Sequence, residues 1–205
     1  MKLWGRNNSV NVKKPVWCAI ELGIDLERVD LGGPFGGLDT PEFLAKNPNG
    51  LIPCLEDGDL VLWESHTIVR YLADVHGDGR LATDSAGARA RCSMWMDWAL
   101  GSLAGPYRDL IMNLVRGTPE TRDDAAIERG LAGFEKSLRI ADGALARQPW
   151  LSGEGFGIGD IPLGAYVYLW FALDIERPSL PNLEAWYEKL TQRSAYREHV
   201  MLPIS

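Results

Sequence analysis

The chain is short of cysteine, of long apolar runs and of positive charge, and each shortage excludes something. Cys18, Cys54 and Cys92 are the only three cysteines in 205 residues, and none forms a CxxC pair. An odd, scattered set predicts neither a disulfide framework nor a zinc site, and it suits a reducing cytoplasm. His66, His76 and His199 show no metal-ligand spacing, so no metal is expected. The longest apolar run, residues 165–173 (AYVYLWFAL), is too short to cross a bilayer. The start, MKLWGRNNSV, has no apolar stretch behind its basic residue and predicts no signal peptide. The formal net charge is -7, which repels phosphate backbones. Lys13-Lys14 is the one basic pair that stands out, too little for a nucleic-acid partner. What remains is ordinary for a globular protein, with 46% hydrophobic and 24% charged residues. The length suits one large domain or two small ones.

The hydrophobic pattern divides the chain. Residues 1–4 read as a short strand, followed by the turn and cap residues Asn7, Asn8, Ser9 and Asn11. Val12, Val16, Ala19, Ile20 and Leu22 repeat at helical spacing. Ser9 or Asn11 is the expected N-cap, Pro15 lies near the first turn and Gly23 closes the helix. Residues 26–31 alternate as a strand. Thr40-Pro41-Glu42 starts a helix, and Asn47-Pro48-Asn49-Gly50 ends it. Residues 51–56 and 60–63 flank Asp57-Gly58 as a hairpin, and a helix from Ser65 runs to Gly77. The order is β-α-β-α-β-β-α, with a parallel first pair and a right-handed crossover. After residue 85 only helical periods appear. Gly105-Pro106 is expected to break the first of these helices. Thr118-Pro119-Glu120 is expected to start the next, residues 159–171 form a third, and residues around 183–190 a fourth. The Arg122-Asp123-Asp124 run reads as a solvated helix face.

Three loops carry possible chemistry. The Ile52-Pro53 bond before a strand is cis or trans, and either way Ile52 can offer its backbone N–H and C=O to an extended ligand. Glu64-Ser65 stands where a strand hands over to a helix. A helix start holds carboxylates, Ser65 adds a hydroxyl, and Glu64 can take an ammonium. A plain serine cap explains the same two residues. Ser9 and Asn11 would meet a thiol held at the start of the first helix, where a donor and the helix dipole favour thiolate. Simple capping explains them as well. The element order places all three loops at one end of the sheet.

Those loops, in LWGRNNSVNVKK (3–14), NPNGLIPCLEDGDLVLWES (47–65), TIVRYLA (67–73) and WLSGEGFGIGDIPLG (150–164), resemble the cytosolic glutathione S-transferases over the whole chain. The start and the WMDWA segment (95–99) are most similar to a bacterial theta-like subgroup. The resemblance implies an α/β thioredoxin-like N-terminal domain plus an all-α C-terminal domain. Residues 1–80 would bind glutathione and residues 85–205 the second substrate. It implies glutathione as co-substrate, bound by Ile52, Pro53, Glu64 and Ser65. It also implies thiol activation from the loop of Ser9 or Asn11, Ser9 being the first choice. No tyrosine precedes Tyr71, and Cys18 lies too far into the helix to serve.

Two departures stand out. Gly50 stands where related enzymes often carry a histidine for the glycine carboxylate of glutathione, a role that would pass to Lys13 or Lys46. Gly157 stands where a hydroxyl residue usually caps a helix, with Asp160 three residues on. Tyr107, Arg108 and Tyr166 are candidates for the second-substrate wall, as are Trp95 and Trp170, although core packing explains the aromatics too. The implied activity is a homodimeric detoxification enzyme that conjugates the glutathione thiolate to small electrophiles. The alternatives are a glutathione-dependent peroxidase or disulfide reductase, and a non-catalytic glutathione-binding scaffold.

Overall fold

A computed structural model describes residues 1–205. It begins with β1 (Lys2–Trp4), α1 (Val10–Leu22), β2 (Glu27–Val29), α2 (Pro41–Leu44), β3 (Cys54–Asp57), β4 (Leu60–Trp63) and α3 (Ser65–His76). The four strands form one sheet in the order β2-β1-β3-β4. β1 and β2 are parallel, with α1 as the crossover, and the other two pairings are antiparallel. Leu3 lies opposite Leu55, and both are fully buried. The anticipated order is thus present, with strands shorter than the apolar runs that mark them.

Helices follow: α4 (Ala86–Leu110), α5 (Asp124–Leu145), α6 (Ile161–Ala172), α7 (Pro181–Thr191) and α8 (Ser194–His199). Two boundaries differ from expectation. α4 runs through Gly105-Pro106, and a π turn follows at Ile111–Val115. Pro106 still deprives the helix of one N–H. Tertiary packing compensates: Gly133 of α5 sits so close that an added Cβ would lie 2.7 Å from Pro106 Cγ. α5 starts at Asp124 instead of Thr118. Thr121 Oγ1 accepts from the Thr118 N–H at 2.9 Å and closes that stretch as a turn. The cap is Asp123, accepting from the Ala126 N–H at 3.1 Å, so part of the supposed solvated charge run is a helix start. α8 has no signal in the periodicity, being only six residues long.

The strand-bearing and helical parts share one core. Trp17 of α1 packs on Phe156, with ring centroids 5.3 Å apart, and on Tyr196 at 4.8 Å. The absent side chain of Gly164 lets α6 close on the Trp17 indole, where a Cβ would sit 2.8 Å from the ring. The Tyr196 hydroxyl donates to the Gly164 carbonyl at 2.9 Å. Arg193 clamps Glu21 through two bonds of 2.7 and 2.6 Å. Gly157 carries no hydroxyl because it has no room: a Cβ there would lie 2.6 Å from the Leu81 carbonyl oxygen.

Asp160 supplies the polar fixture that Gly157 cannot. It is fully buried. Its carboxylate accepts from the Leu151, Ser152 and Gly157 N–H groups at 2.8, 3.3 and 3.1 Å and from the Trp186 indole at 2.9 Å. It therefore ties the start of α6 to the preceding loop and to α7. Asp160→Ala leaves four buried donors without an acceptor. It is expected to destabilise the fold by about 3 kcal/mol or more, read as a lowered urea midpoint, with no direct effect on the ligand cavities.

Candidate active site

Three loops meet at one end of the sheet, and two cavities open there. The smaller, about 60 Å³, is lined by Asn11, Asn47, Ile52, Pro53, Glu64 and Ser65 among others. The Ile52-Pro53 bond is cis. Neither the Ile52 N–H nor its C=O bonds another backbone group, so both are open to an extended ligand. Asn47 holds the approach to this turn. It is buried, donates to the Leu51 carbonyl at 2.7 Å and accepts from the Asn49 N–H at 3.1 Å.

Glu64 adopts φ 70°, a left-handed conformation that is strained for a side-chain-bearing residue. Such strain clusters at ligand clamps. Glu64 is exposed, while Ser65, the first residue of α3, is buried against the cavity. The free N–H groups of α3 and the Ser65 hydroxyl can receive a carboxylate beside the Glu64 anion. The arrangement can accommodate a head group with an ammonium next to a carboxylate.

The larger cavity, about 430 Å³, is lined by Ser9, Asn11, Tyr107, Arg108, Tyr166 and residues around them, including Arg6 and Arg116. Asn11 and Leu51 are the residues shared by the two cavities. Ser9 caps α1 through its backbone, and its side chain makes no cap bond. It is buried, and its cavity is the larger one only. Tyr107 and Tyr166 pack with ring centroids 5.2 Å apart. Burial pushes the Tyr107 hydroxyl up to about 12, so it stays protonated and cannot act as a base near neutral pH.

The wall is positively charged in a chain of net charge -7. Arg6 and Arg108 have no carboxylate partner. Arg6 Nε is buried without any hydrogen-bond partner. Burial lowers the Arg6 pKa, and the neighbouring Arg116 lowers it further. Arg116 donates to the Ser205 carbonyl at 2.7 Å.

Several expected residues lie elsewhere. Lys13 is buried, donates to the Val200 carbonyl at 2.9 Å and faces the Tyr168 ring. Its helix phase turns it toward the carboxyl-terminal segment, away from both cavities. Lys46 pairs with Glu56 at 2.8 Å. Neither lysine is free for the role assigned to it by the vacancy at Gly50. Lys13-Lys14 is no surface pair, since both are buried. Trp95 packs against Trp98, and Trp170 stacks on Phe134, so these two are core residues. His66, next to Ser65, lines neither cavity. It is buried, and burial with the cations Lys14 and Arg70 lowers its pKa to about 2. Cys18, Cys54 and Cys92 are all buried, and burial raises each thiol pKa. None lines either cavity. The largest cavity, about 540 Å³, lies between residues 79–91 and 152–156 and shares no residue with these two. It lacks the converging loops.

Sequence reasoning passed over Asn47, Asn49, Arg6 and Arg116. The asparagines lay in plain view as turn residues of NPNG. The arginines carry no local pattern that marks a cavity wall.

Known proteins resemble this chain over both of its parts. Residues 1–74 match the model of the glutathione S-transferase N-terminal domain, and residues 124–189 match that of the C-terminal domain. The chain is 45% identical over 205 residues to glutathione S-transferase GstB of Escherichia coli, covering 99% of each. It is 32% identical over 182 residues to the disulfide-bond oxidoreductase YfcG of the same organism, covering 85% of this chain and 82% of that one. The theta class glutathione S-transferase of Xanthomonas axonopodis pv. citri, solved with glutathione bound, superposes with a TM-score of 0.95 at 48% identity, covering 100% of this chain and 98% of that one. With family models across both parts and a relative this similar over nearly its whole length, the chain belongs to the glutathione S-transferase family.

Proposed function

We propose that the protein conjugates the glutathione thiolate to small electrophiles, with Asn11 as the residue that stabilises the thiolate. The observation that carries this is the position of Asn11. Of the two residues lining both cavities, Asn11 alone has a polar side chain. The γ-glutamyl head sits on Glu64 and Ser65, and the cysteinyl backbone pairs with Ile52 beside Pro53. The sulfur then reaches the joint of the cavities. Its lone pair attacks the electrophilic carbon, and the leaving group departs with the bonding pair. Fixing both reactants in adjoining cavities removes much of the entropic barrier. An amide accepts no proton at neutral pH, so Asn11 acts by donating to the anion.

Ser9 takes second place because it meets only the larger cavity. Residues 1–80 serve as the glutathione domain, and residues 85–205 supply Tyr107, Arg108 and Tyr166 to the second substrate. Cys18, Cys54 and Cys92 fit a reducing cytoplasm. β4 is an edge strand whose Leu60, Val61 and Trp63 are exposed, a face suited to a second copy of the chain. Disulfide reduction is the second reading, favoured by the likeness to YfcG. Without a cysteine in the site it requires two glutathiones in place of a protein-thiol relay.

Turnover of an electrophilic aryl halide, an organic hydroperoxide and a mixed disulfide separates these activities. Asn11→Ala is expected to lower kcat/KM for the aryl halide roughly 10- to 100-fold, the loss of one hydrogen bond to an anion. Ser9→Ala is expected to have a smaller effect. The reverse order overturns the assignment of Asn11, and no turnover of any substrate overturns the enzymatic reading.

The arginines of this wall generate a second prediction. A nitro-activated aryl halide bearing a carboxylate is expected to react with a lower KM than its neutral amide. Arg108→Gln and Arg116→Gln should each shrink that preference while sparing the amide, and the effect should weaken with added salt. Equal KM values for the two substrates in the unaltered protein would show that the arginines do not select charge.

A further inference from the structure

An asparagine amide is useful as a donor only when its nitrogen points at the ligand, and the two ends of an amide exchange by a simple flip. Something must hold Asn11 in the productive sense. Lys14, three residues on along α1 and therefore on the same helix face, does so. It is fully buried. Its ammonium donates to Asn11 Oδ1 at 2.9 Å and to the Tyr166 hydroxyl at 3.1 Å. It also lies 4.2 Å from the centroid of the Tyr166 ring. No carboxylate pairs with it.

An ammonium has donors and no acceptor. Facing Lys14, Asn11 must present its oxygen. Its nitrogen donates to nothing in the protein, nor is it sealed from solvent. It is left for whatever occupies the joint of the cavities. We propose that Lys14 is a positioning residue for thiol activation: it locks the oxygen of the Asn11 amide, so that the amide nitrogen is held ready for the glutathione sulfur. The inference rests on the assignment of Asn11 as the stabilising donor.

The same ammonium fixes Tyr166, which lines only the larger cavity. Lys14 thus pins one wall residue from α1 and one from α6. The titratable groups around it are Glu64 at the start of α3, His66 in its first turn and Tyr166 on α6. The Glu64 anion favours the charged lysine, burial opposes it more strongly, and the Lys14 pKa falls to about 7. His66 is held neutral in part by the Lys14 charge and supplies no counter-charge.

The test titrates the thiol of bound glutathione by the ultraviolet absorbance of its thiolate. The proteins are wild type, Lys14→Met, Asn11→Ala, the double variant and Lys14→Arg. Methionine matches the lysine stem and suits a buried position. Lys14→Met and Asn11→Ala are each expected to raise the titration midpoint by about 1 pH unit or more. The double variant should match Asn11→Ala alone, because a residue acting through Asn11 has nothing left to position. Lys14→Arg should keep a low midpoint, since a guanidinium also only donates. Affinity for S-methylglutathione, which has no ionisable thiol, should be unchanged in Lys14→Met and Lys14→Arg.

An unmoved midpoint in Lys14→Met beside a raised one in Asn11→Ala overturns the positioning role and leaves Asn11 standing. Additive shifts in the double variant also overturn it, since Lys14 would then act by its charge alone. An unmoved midpoint in Asn11→Ala overturns the assignment of Asn11 and the inference with it. If Lys14→Met does not fold, Lys14→Gln takes its place. A neutral amide both donates and accepts, frees Asn11 to flip, and should raise the midpoint too.

Discussion

The clamping of α1 between the two parts of the molecule is the constraint on which the site depends. One face of α1 closes the sheet core through Val12, Cys18 and Ala19, all fully buried. Trp17 inserts among Gly164, Phe156 and Tyr196 of the helical part. Polar ties follow the same seam: Lys13 to Val200, Lys14 to Tyr166, and Glu21 to Arg193. A helix held from both sides has little freedom to tilt or slide. Its amino-terminal turn, which carries Asn11, therefore lies at a fixed place relative to both cavities. Activation needs that precision, because a donor misplaced by an ångström loses most of its effect.

Electrostatics is divided along the same seam. The chain as a whole is acidic, yet the shared end of the two parts collects Arg6, Arg108 and Arg116 at the surface of one cavity and Lys14 beneath it. Arg6, Arg108 and Lys14 are left without carboxylate side-chain partners while other arginines, such as Arg193 and Arg129, have them. Uncompensated positive charge in a confined space suits a site whose reacting species is an anion. Glu64 is the exception in the small cavity, an anion that meets the ligand ammonium in the binding mode we propose.

The fold was largely legible in the order of the hydrophobic patterns. Period two gave way to period 3.6 and back within the first eighty residues, and only helical periods followed. The hairpin, the α3 start at Ser65 and the cluster of loops could be placed from turn and cap residues, because their determinants are local. Pro106 and Thr118 were misleading for the converse reason. A proline is tolerated mid-helix where a neighbouring glycine admits its ring, and a Thr-Pro start is lost where Thr121 closes a turn first. Gly133 lies far along the chain from Pro106 and leaves no local trace, whereas Thr121 is a near neighbour of Thr118 and acts through a side-chain bond that hydrophobic periodicity does not display.

The same division holds for the chemistry. The sequence by itself determined which residues line the small cavity, Ile52, Glu64 and Ser65, because a strand-to-helix junction and a proline turn are written in adjacent residues. It also narrowed activation to the loop of Ser9 and Asn11. The preference for Asn11 that we propose comes from tertiary structure, since only packing shows which residue lines both cavities. Tertiary structure alone removed Lys13, whose charge is spent on the Val200 carbonyl, and brought in Lys14, one residue along and turned by the helix onto Asn11 and Tyr166. Adjacent lysines look interchangeable in a sequence; a rotation of about 100° between successive helix positions sends one to the tail and the other to Asn11 and Tyr166.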